Sequence, residues 1–401
     1  MPHRSARFRA SLGYLSGLRL IINTAARFVS FFLPAIARGL GVPLEQAGDL
    51  ISIRWAAGLP TPFFMTAMSR GRPRRNLIGL GLGLFAVGSL ITAATSVYVG
   101  AVVGFIMMGV AKPLFDVSSQ AYLADRVPYD KRGRVLGIFE LTWAGGLLVG
   151  APLAGWMIRT SGWRSPFWLL GGLLAVGALA MGRLLDKDTG DVHGSEGRLR
   201  LDRPSAAFLV VAALYAMAAE LMFVVLGAWL EDSFGLSLVA AGGIAVFIGL
   251  AELSGEAAMT AFSDRIGKRR SVVAGILIAA AGFAAFAVAS ASLAGGVAAA
   301  MLAYFGFELA IVSGVPYASE IHPHARARFL AWMVVGWSLG RTLGSAIGPR
   351  LYVGSGIATA ALVAAALNLA AVAVFAWGGA PDSAVAERFM PNSEETEESE
   401  R

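Results

Sequence analysis

Apolar stretches of membrane-spanning length constrain this chain more than any other feature. A helix needs about 20 mainly apolar residues to cross a bilayer. The 401-residue chain contains such stretches throughout its length. They fall at 12–37, 46–68, 77–95, 98–122, 134–158, 166–183, 205–230, 238–262, 271–290, 294–319, 328–352 and 355–378. The sequence therefore predicts an all-α integral membrane protein with twelve transmembrane helices, spans 1 to 12.

Composition supports this class and excludes others. Hydrophobic residues make up 56% of the chain and charged residues only 15%, too few charges to cover a soluble protein of this size. The high hydrophobicity argues against disorder, and the absence of cysteine excludes disulfide scaffolds and cysteine-based metal sites. The basic and then apolar N-terminus lacks a small-residue cleavage pattern, so we expect a retained first span rather than a signal peptide.

Polar segments predict the domains and the topology. The long polar stretch 184–204 separates a six-helix bundle at 1–183 from a second at 205–378, and the acidic segment 379–401 is expected to be a disordered tail. Lysine and arginine number 24 on segments facing the same side as the N-terminus and only four on the other side. The positive-inside rule then places both termini in the cytoplasm.

An internal repeat relates the two halves. A shift of 194 residues aligns segment 41–75 with segment 235–269 without a gap. Two six-helix bundles in parallel repeat predict a substrate cavity between them near the bilayer midplane. The recurring residues are Gly41, Leu44, Ala47, Gly48, Met65, Thr66, Ala67, Ser69 and Arg75, repeated as Gly235, Leu238, Ala241, Gly242, Met259, Thr260, Ala261, Ser263 and Arg269.

Two loops and one span resemble motifs of a known family. SDRIGKRR before span 9 and ADRVPYDKRGRVLG before span 5 are similar to cytoplasmic loops of the major facilitator superfamily, and GGLLVGAPLAGW in span 5 resembles a glycine–proline motif of its exporters. The resemblance implies that family's transporter fold and a role in conformational gating for the matching residues. These are Asp264, Arg265, Gly267, Arg269, Arg270, Asp125, Arg132, Gly150 and Pro152.

The chain departs from the family pattern at two positions. Arg70 stands in the first-half loop where the second half has Asp264, which indicates that the first-half loop makes different ion pairs. Phe105 in span 4 stands where drug–proton antiporters of the family usually have arginine, which argues against proton coupling by that route.

Ionisable residues within the bilayer core are the strongest functional signal. Each costs at least about 2.5–3.5 kcal/mol at the bilayer centre unless it is paired or hydrated. They occupy spans 1, 2, 4, 5, 7, 8, 10 and 11, the eight spans that line the cavity in the resembled fold. The eleven residues are Arg19, Arg27, Arg54, Lys112, Asp116, Glu140, Glu220, Glu252, Glu256, Glu308 and Arg341.

Their arrangement predicts a binding site with separated charges. Positive residues predominate in the first half and negative residues in the second. Helical spacing puts Arg19, Asn23 and Arg27 on one face of span 1. Purely structural ion pairing between the halves is the alternative for Arg27, Glu220, Glu308 and Arg341. For Arg19 the alternative is a side chain that snorkels or braces the cytoplasmic mouth. The predicted substrate-binding set is Arg19, Asn23, Arg27, Arg54, Glu220, Glu308 and Arg341.

Other acidic residues are assigned to proton transfer or to local pairs. Glu252 and Glu256 lie about one turn apart, and because like charges repel, at least one of them is expected to hold a proton. Together with Glu220 they are the predicted proton carriers. A fixed ion pair across the cavity is the alternative for Glu252 and Glu256. We expect Lys112 and Asp116 to form an ion pair within span 4, with a role in substrate binding as the alternative.

Glu140 lies about six residues beyond Arg134, so we expect these two residues to pair at the cytoplasmic end of span 5.

These features predict a secondary transporter of a small amphipathic organic solute, anionic or zwitterionic, working by alternating access as a proton-coupled exporter. A flippase for lysolipids or lipids and a non-transporting membrane sensor are the alternatives. We expect the protein to be a monomer in the bacterial inner membrane, where it contacts lipids and binds protons. No motif predicts an enzyme, a metal site, a cofactor or nucleic-acid binding.

Overall fold

A computed structural model describes residues 2–69, 73–186, 199, 201–322 and 325–379. Side chains at 2–6, 66–69, 129–130, 134 and 262–264 are not described, so Asp264 contributes only its backbone. Most of the predicted inter-bundle loop and the acidic tail from 380 onward also lie outside the described residues.

The described chain folds entirely into helices joined by short turns, without a strand in these ranges. One π-helical turn, Gly146–Gly150, interrupts the helices of predicted span 5. The helices are α1 Pro2–Phe31, α2 Leu33–Leu40, α3 Leu44–Gly58, α4 Thr61–Ser69, α5 Arg74–Ala94, α6 Tyr98–Ala124, α7 Tyr129–Glu140, α8 Thr142–Gly145, α9 Ala151–Ser161, α10 Ser165–Leu184, α11 Arg203–Phe223, α12 Leu226–Phe234, α13 Leu238–Ile266, α14 Lys268–Ala289, α15 Leu293–Ile321 and α16 Arg326–Gly378.

These helices are consistent with twelve crossings. Within the described residues, nine helical stretches are long and apolar enough to span a membrane, or ten if α1 and α2, bent by 77°, count as one span. Gly356, at φ 79°, turns the chain inside α16 at the start of predicted span 12. Helices α3 and α4 together occupy the position of predicted span 2.

Proline explains two of the breaks. Pro34 lies at the start of α2 and Pro60 lies between α3 and α4. Proline has no backbone N–H to donate to the preceding turn, and its ring clashes with that turn. The chain therefore bends at these points instead of continuing as straight helices.

The repeat found in the sequence extends to the backbone. In each half the first span breaks and resumes as a short helix, α2 in the first half and α12 in the second. Both short helices end on a glycine in the left-handed region, Gly41 at φ 66° and Gly235 at φ 60°, a conformation that residues with a side chain rarely adopt. These two glycines are partners in the 194-residue repeat.

The bundle has two ends, which we name by their position. The terminal end carries the start of α1 and the end of α16, where Arg203 donates to the Trp377 carbonyl at 2.7 Å. The opposite end carries the turns at Gly41, Gly162 and Gly235. Successive spans alternate in direction between these two ends.

Contacts between the two halves concentrate at the opposite end. There Arg38 pairs with Glu231 and Arg350 with Asp49, both at 2.7 Å. Backbones also approach closely, since a Cβ on Gly155 would lie 2.5 Å from the Leu238 carbonyl oxygen. This conformation is therefore closed at the opposite end.

Candidate functional site

A small cavity lies at the centre of the bundle, between the two halves. Its volume is about 20 Å³, room for about one water molecule. A larger ligand can enter only after the surrounding helices move. The cavity is lined by Ala26, Arg27, Ser30, Arg54, Trp55, Trp143, Ala219, Glu220, Phe223, Glu252, Tyr304, Phe307 and Arg341.

One buried ion pair joins the halves across this cavity. Arg27 of α1 donates to both carboxylate oxygens of Glu252 of α13, at 2.7 and 2.5 Å. Both side chains are buried, with exposed fractions of 4% and 3%. Two parallel hydrogen bonds in a low-dielectric site make this the strongest polar contact between the halves.

Aromatic residues enclose the Arg27 guanidinium. Its centre lies 4.4 Å from the ring of Trp143 and 5.2 Å from that of Phe223. Arg27 also donates to the Trp143 carbonyl at 3.1 Å. The arginine is therefore held by α8 and α11 as well as by its carboxylate partner.

A second ion pair lies within the second half. Arg341 of α16 donates to Glu220 of α11 at 3.2 Å, and the Trp55 indole N–H donates to the other oxygen of Glu220 at the same distance. The Arg341 guanidinium lies 4.8 Å from the Trp55 ring and 5.6 Å from that of Phe307. Trp55 thus links the first half to this pair.

Arg54 is a buried cation without an ion pair among the described residues. Only 5% of it is exposed, and one of its terminal nitrogens donates to the Ala26 carbonyl at 2.5 Å. The other side of its guanidinium faces the Trp55 ring at 5.3 Å. Gly109 permits this position because a Cβ there would lie 2.1 Å from the Arg54 carbonyl oxygen.

The charges around the cavity do not cancel. Arg27 pairs with Glu252 and Arg341 with Glu220, whereas Arg54, the third cation of the lining, has no carboxylate partner among the described residues. A buried charge without a counter-charge is costly in a low-dielectric environment. The lining of the cavity is therefore suited to one additional negative charge.

Glu308 and Glu256 are further carboxyl groups of the second half, near Glu252 but outside the cavity lining. Glu308 of α15 is 7% exposed, and its Oε2 is buried without a hydrogen-bond partner in the part of the chain described here. Glu256 of α13 is half-buried, and no described basic side chain forms an ion pair with it. An isolated buried carboxyl group is more stable when it carries a proton.

A balanced polar network lies in the first half on the terminal side of the cavity. Lys112 pairs with Asp116 at 2.7 Å, which confirms the predicted ion pair within span 4. Arg19 bonds to Asp116 at 3.2 Å and to Glu140 at 2.9 Å. Asn23 accepts from Lys112 at 2.9 Å. Because the two cations balance the two carboxylates, this network calls for no extra counter-charge.

Glu140 is bound by residues of two other helices, α1 and α6. Its two carboxylate oxygens accept from Arg19 and from Gln120, at 2.9 and 2.8 Å. The expected partner was Arg134, whose side chain is not described. Residue spacing along α7 could not reveal the contact with Arg19, because Arg19 lies on a different helix.

The predicted gating loops lie at the terminal end. Asp125 pairs with Arg74 at 3.0 Å, and Arg132 donates to the Val127 carbonyl at 3.3 Å. The Arg269 guanidinium lies 5.2 Å from the Phe375 ring, while Arg265 and Arg270 are exposed. Gly267, at φ 88°, forms the turn between α13 and α14.

The glycine–proline motif of span 5 lies where α1 and α13 meet it. Gly150 ends the π-helical turn, and a Cβ there would lie 2.3 Å from the Thr24 hydroxyl. A Cβ on Gly242 of α13 would lie 3.0 Å from Pro152 Cα. Substitution at these positions would separate helices on both sides of span 5.

Sequence reasoning missed two aromatic residues of the cavity, Trp143 and Phe307. Trp143 lies three residues after Glu140, and Phe307 lies directly before Glu308. A separation of three residues places Trp143 on the same helix face as Glu140, which could have indicated its position. Spacing gives no such signal for Phe307, because adjacent residues point in different directions from a helix.

Comparison with known proteins agrees with this architecture. The family model of the Major Facilitator Superfamily matches residues 15–307 and 208–395. The chain is 26% identical over 301 residues to the uncharacterized MFS-type transporter YwfA of Bacillus subtilis, covering 72% of each chain. It is 31% identical to the putative uncharacterized transporter YgaY of Escherichia coli over 167 residues, 40% of this chain and 41% of YgaY.

Solved structures share the fold. A bacterial homologue of the human lysosomal transporter Spinster, inward-facing and occupied, has a TM-score of 0.74 at 15% identity and covers 94% of this chain and 97% of its own. A POT family transporter in complex with a thioalcohol-conjugated peptide has a TM-score of 0.71 at 13% identity and covers 91% of this chain and 94% of its own. The chain is a multi-pass membrane transporter that belongs to the major facilitator superfamily.

Proposed function

We propose that this transporter moves a small amphipathic organic anion by alternating access. The observation that carries the proposal is the buried Arg54, which has no ion pair among the described residues and lines the same cavity as Arg341 and its partner Glu220. Planar guanidinium groups bind carboxylates, sulfonates and phosphates well. Trp55, Trp143 and Phe307 provide apolar surface for the remainder of the substrate.

Four further substrate-binding residues are proposed with Arg54 and Arg341. Arg27 and Glu220 border the cavity, whereas Arg19 and Asn23 belong to the balanced network toward the terminal end. Glu308 is proposed beside them, where it faces the amine of a zwitterionic substrate or carries a proton. The balanced network favours a positioning role for Arg19 and Asn23.

A charge-matched ligand series tests the proposal. Purified protein is titrated with an aryl carboxylate, its carboxamide and the corresponding arylmethylammonium, and thermal unfolding is monitored. We expect the carboxylate to raise the unfolding temperature, because only it supplies the missing negative charge. Equal or stronger stabilisation by the ammonium compound would contradict an anion site.

Proton coupling is proposed for the carboxyl groups of the second half. In this conformation Glu252 and Glu220 are held by Arg27 and Arg341, while Glu256 and Glu308 form no described ion pair. A proton that moves from Glu256 or Glu308 to Glu252 would release Arg27. That transfer would weaken the central contact between the halves and favour opening toward the other side.

Single Glu-to-Gln variants test the coupling. In liposomes with a pH gradient, we expect Glu308→Gln and Glu256→Gln to reduce substrate accumulation to the level of empty liposomes while equilibrium binding is retained. Glutamine keeps the shape of the side chain but cannot release or accept the proton. Glu45→Gln, in the first turn of α3 and away from the ion pairs of the cavity, is the control. Undiminished gradient-driven transport in both variants would contradict the proposal.

Export, an inner-membrane location, cytoplasmic termini and a monomeric state complete the proposal. The lysine and arginine distribution supports cytoplasmic termini, which makes the closed opposite end the outer one. A lipid flippase and a non-transporting sensor are alternative proposals. Transfer of labelled lipid between leaflets would favour the first, and absence of response to every ligand of the series would favour the second.

A further inference from the structure

A second, larger cavity lies on the outer surface of the second half at the terminal end. It is a groove of about 720 Å³ between α14, α15 and α16, remote from the central cavity. We call it the terminal groove. Its lining residues are Ile266, Gly267, Lys268, Arg269, Arg270, Val273, Ala274, Leu277, Tyr317, Glu320, Val372, Phe375 and Ala376.

The rim of the terminal groove is positively charged. Lys268 forms an ion pair with Glu320, which cancels one positive charge. Arg269 and Arg270 remain at the start of α14, exposed and without a carboxylate partner among the described residues. Arg269 is held near the groove wall by its contact with the Phe375 ring. Within the described side chains, the rim therefore carries two positive charges without a carboxylate partner.

The walls below the rim are apolar. Val273 and Leu277 extend down α14, with Val372 facing them from α16. From Arg270 to Leu277 the helix rises about 10 Å, enough to cover several methylene groups of an acyl chain. Leu277 is 44% exposed on the outer surface of the bundle, where lipid contacts a membrane protein. The groove is thus charged at one end and apolar along its length.

Trp377 locates the rim at the membrane interface. It lies two residues after Phe375, is 65% exposed, and stacks on Arg203 at 4.1 Å. Exposed tryptophans on spans are enriched at the level of the lipid headgroups. The arginines of the rim therefore lie at the depth of phosphates, and the apolar walls lie at the depth of acyl chains.

We propose that the terminal groove binds an anionic phospholipid, with its phosphate on Arg269 and Arg270 and one acyl chain between α14 and α16. Basic pockets between spans are established lipid-headgroup sites. The acidic C-terminal segment of this chain has complementary charge and follows α16 directly. Its run of glutamates matches the rim but not the apolar walls, which favours a lipid.

Native mass spectrometry of the full-length protein tests the site. The protein is titrated with phosphatidylglycerol, phosphatidylcholine or inorganic phosphate. We expect one tightly bound phosphatidylglycerol, and about 30-fold weaker binding of it in Arg269→Gln/Arg270→Gln, since each basic residue contributes roughly fivefold. Arg326→Gln/Arg328→Gln removes two charges at the same end outside the groove and is the matched control.

Two further variants separate the possible occupants. Ala274→Leu fills the apolar part of the groove and is expected to weaken phosphatidylglycerol binding while the arginines remain. Equal loss in the control double variant, or no effect of Ala274→Leu, would overturn the lipid site. Binding of inorganic phosphate with the affinity of the lipid would also overturn it. Neutralising Glu394, Glu395, Glu397 and Glu398 to glutamine should leave lipid affinity unchanged, and a marked gain would show the tail to be the occupant.

Discussion

Arg27→Leu is expected to lower the free energy of unfolding by about 3–5 kcal/mol, the typical cost of removing one partner of a buried ion pair. The variant leaves the Glu252 carboxylate buried without a counter-charge at the centre of the bundle. It also removes the packing of Arg27 against Trp143 and Phe223. Thermal unfolding of the purified protein in detergent measures the effect.

The double variant Arg27→Leu/Glu252→Leu tests whether the unpaired Glu252 charge causes the loss of stability. It removes both buried charges, so we expect it to recover most of the lost stability. Arg38→Leu, which breaks an exposed ion pair at the opposite end, should cost only about 0–1 kcal/mol. If the double variant were as unstable as the sum of its single variants, the ion pair would not be the source of the effect.

Arg54→Gln is expected to weaken binding of the anionic ligand at least about 30-fold, since removing one partner of a buried charge contact costs 2 kcal/mol or more. Glutamine retains a donor for the Ala26 carbonyl but loses the charge. Isothermal titration with the aryl carboxylate measures the affinity. The same variant should not lower stability, because it removes a buried cation that has no described ion pair.

This combination of weaker binding and retained stability is the distinctive outcome. A purely structural arginine would lose stability when it is replaced, and ligand affinity would change little. Arg38→Gln, distant from the cavity, is the control for a general loss of positive charge. Unchanged affinity of Arg54→Gln for the carboxylate would contradict its proposed role.

Much of the fold was predictable because it depends on local composition. Long apolar stretches, proline breaks and positively charged loops are properties of short segments, and each one limits the backbone directly. The Lys112–Asp116 pair was predictable for the same reason, since helical spacing places the two residues side by side. The 194-residue repeat likewise predicted two related halves, and the turns at Gly41 and Gly235 are equivalent in the structure.

The partners of the other buried charges were not predictable. Arg27 and Glu252 are 225 residues apart, and Arg341 and Glu220 are 121 apart. Sequence periodicity gives the face of a helix but not the helix packed against it. It therefore predicted a cavity lined with charges without distinguishing paired residues from the unpaired Arg54.

The sequence by itself determined a membrane protein with two related halves, because crossing a bilayer imposes its requirements on each span separately. Only the tertiary structure decided which charges neutralise one another and which remain available to a ligand. That choice depends on distances between helices and on exclusion of water from the centre of the bundle. Arg27 is held by Glu252, whereas Arg54 has no carboxylate partner among the described residues, and this difference arises from packing alone.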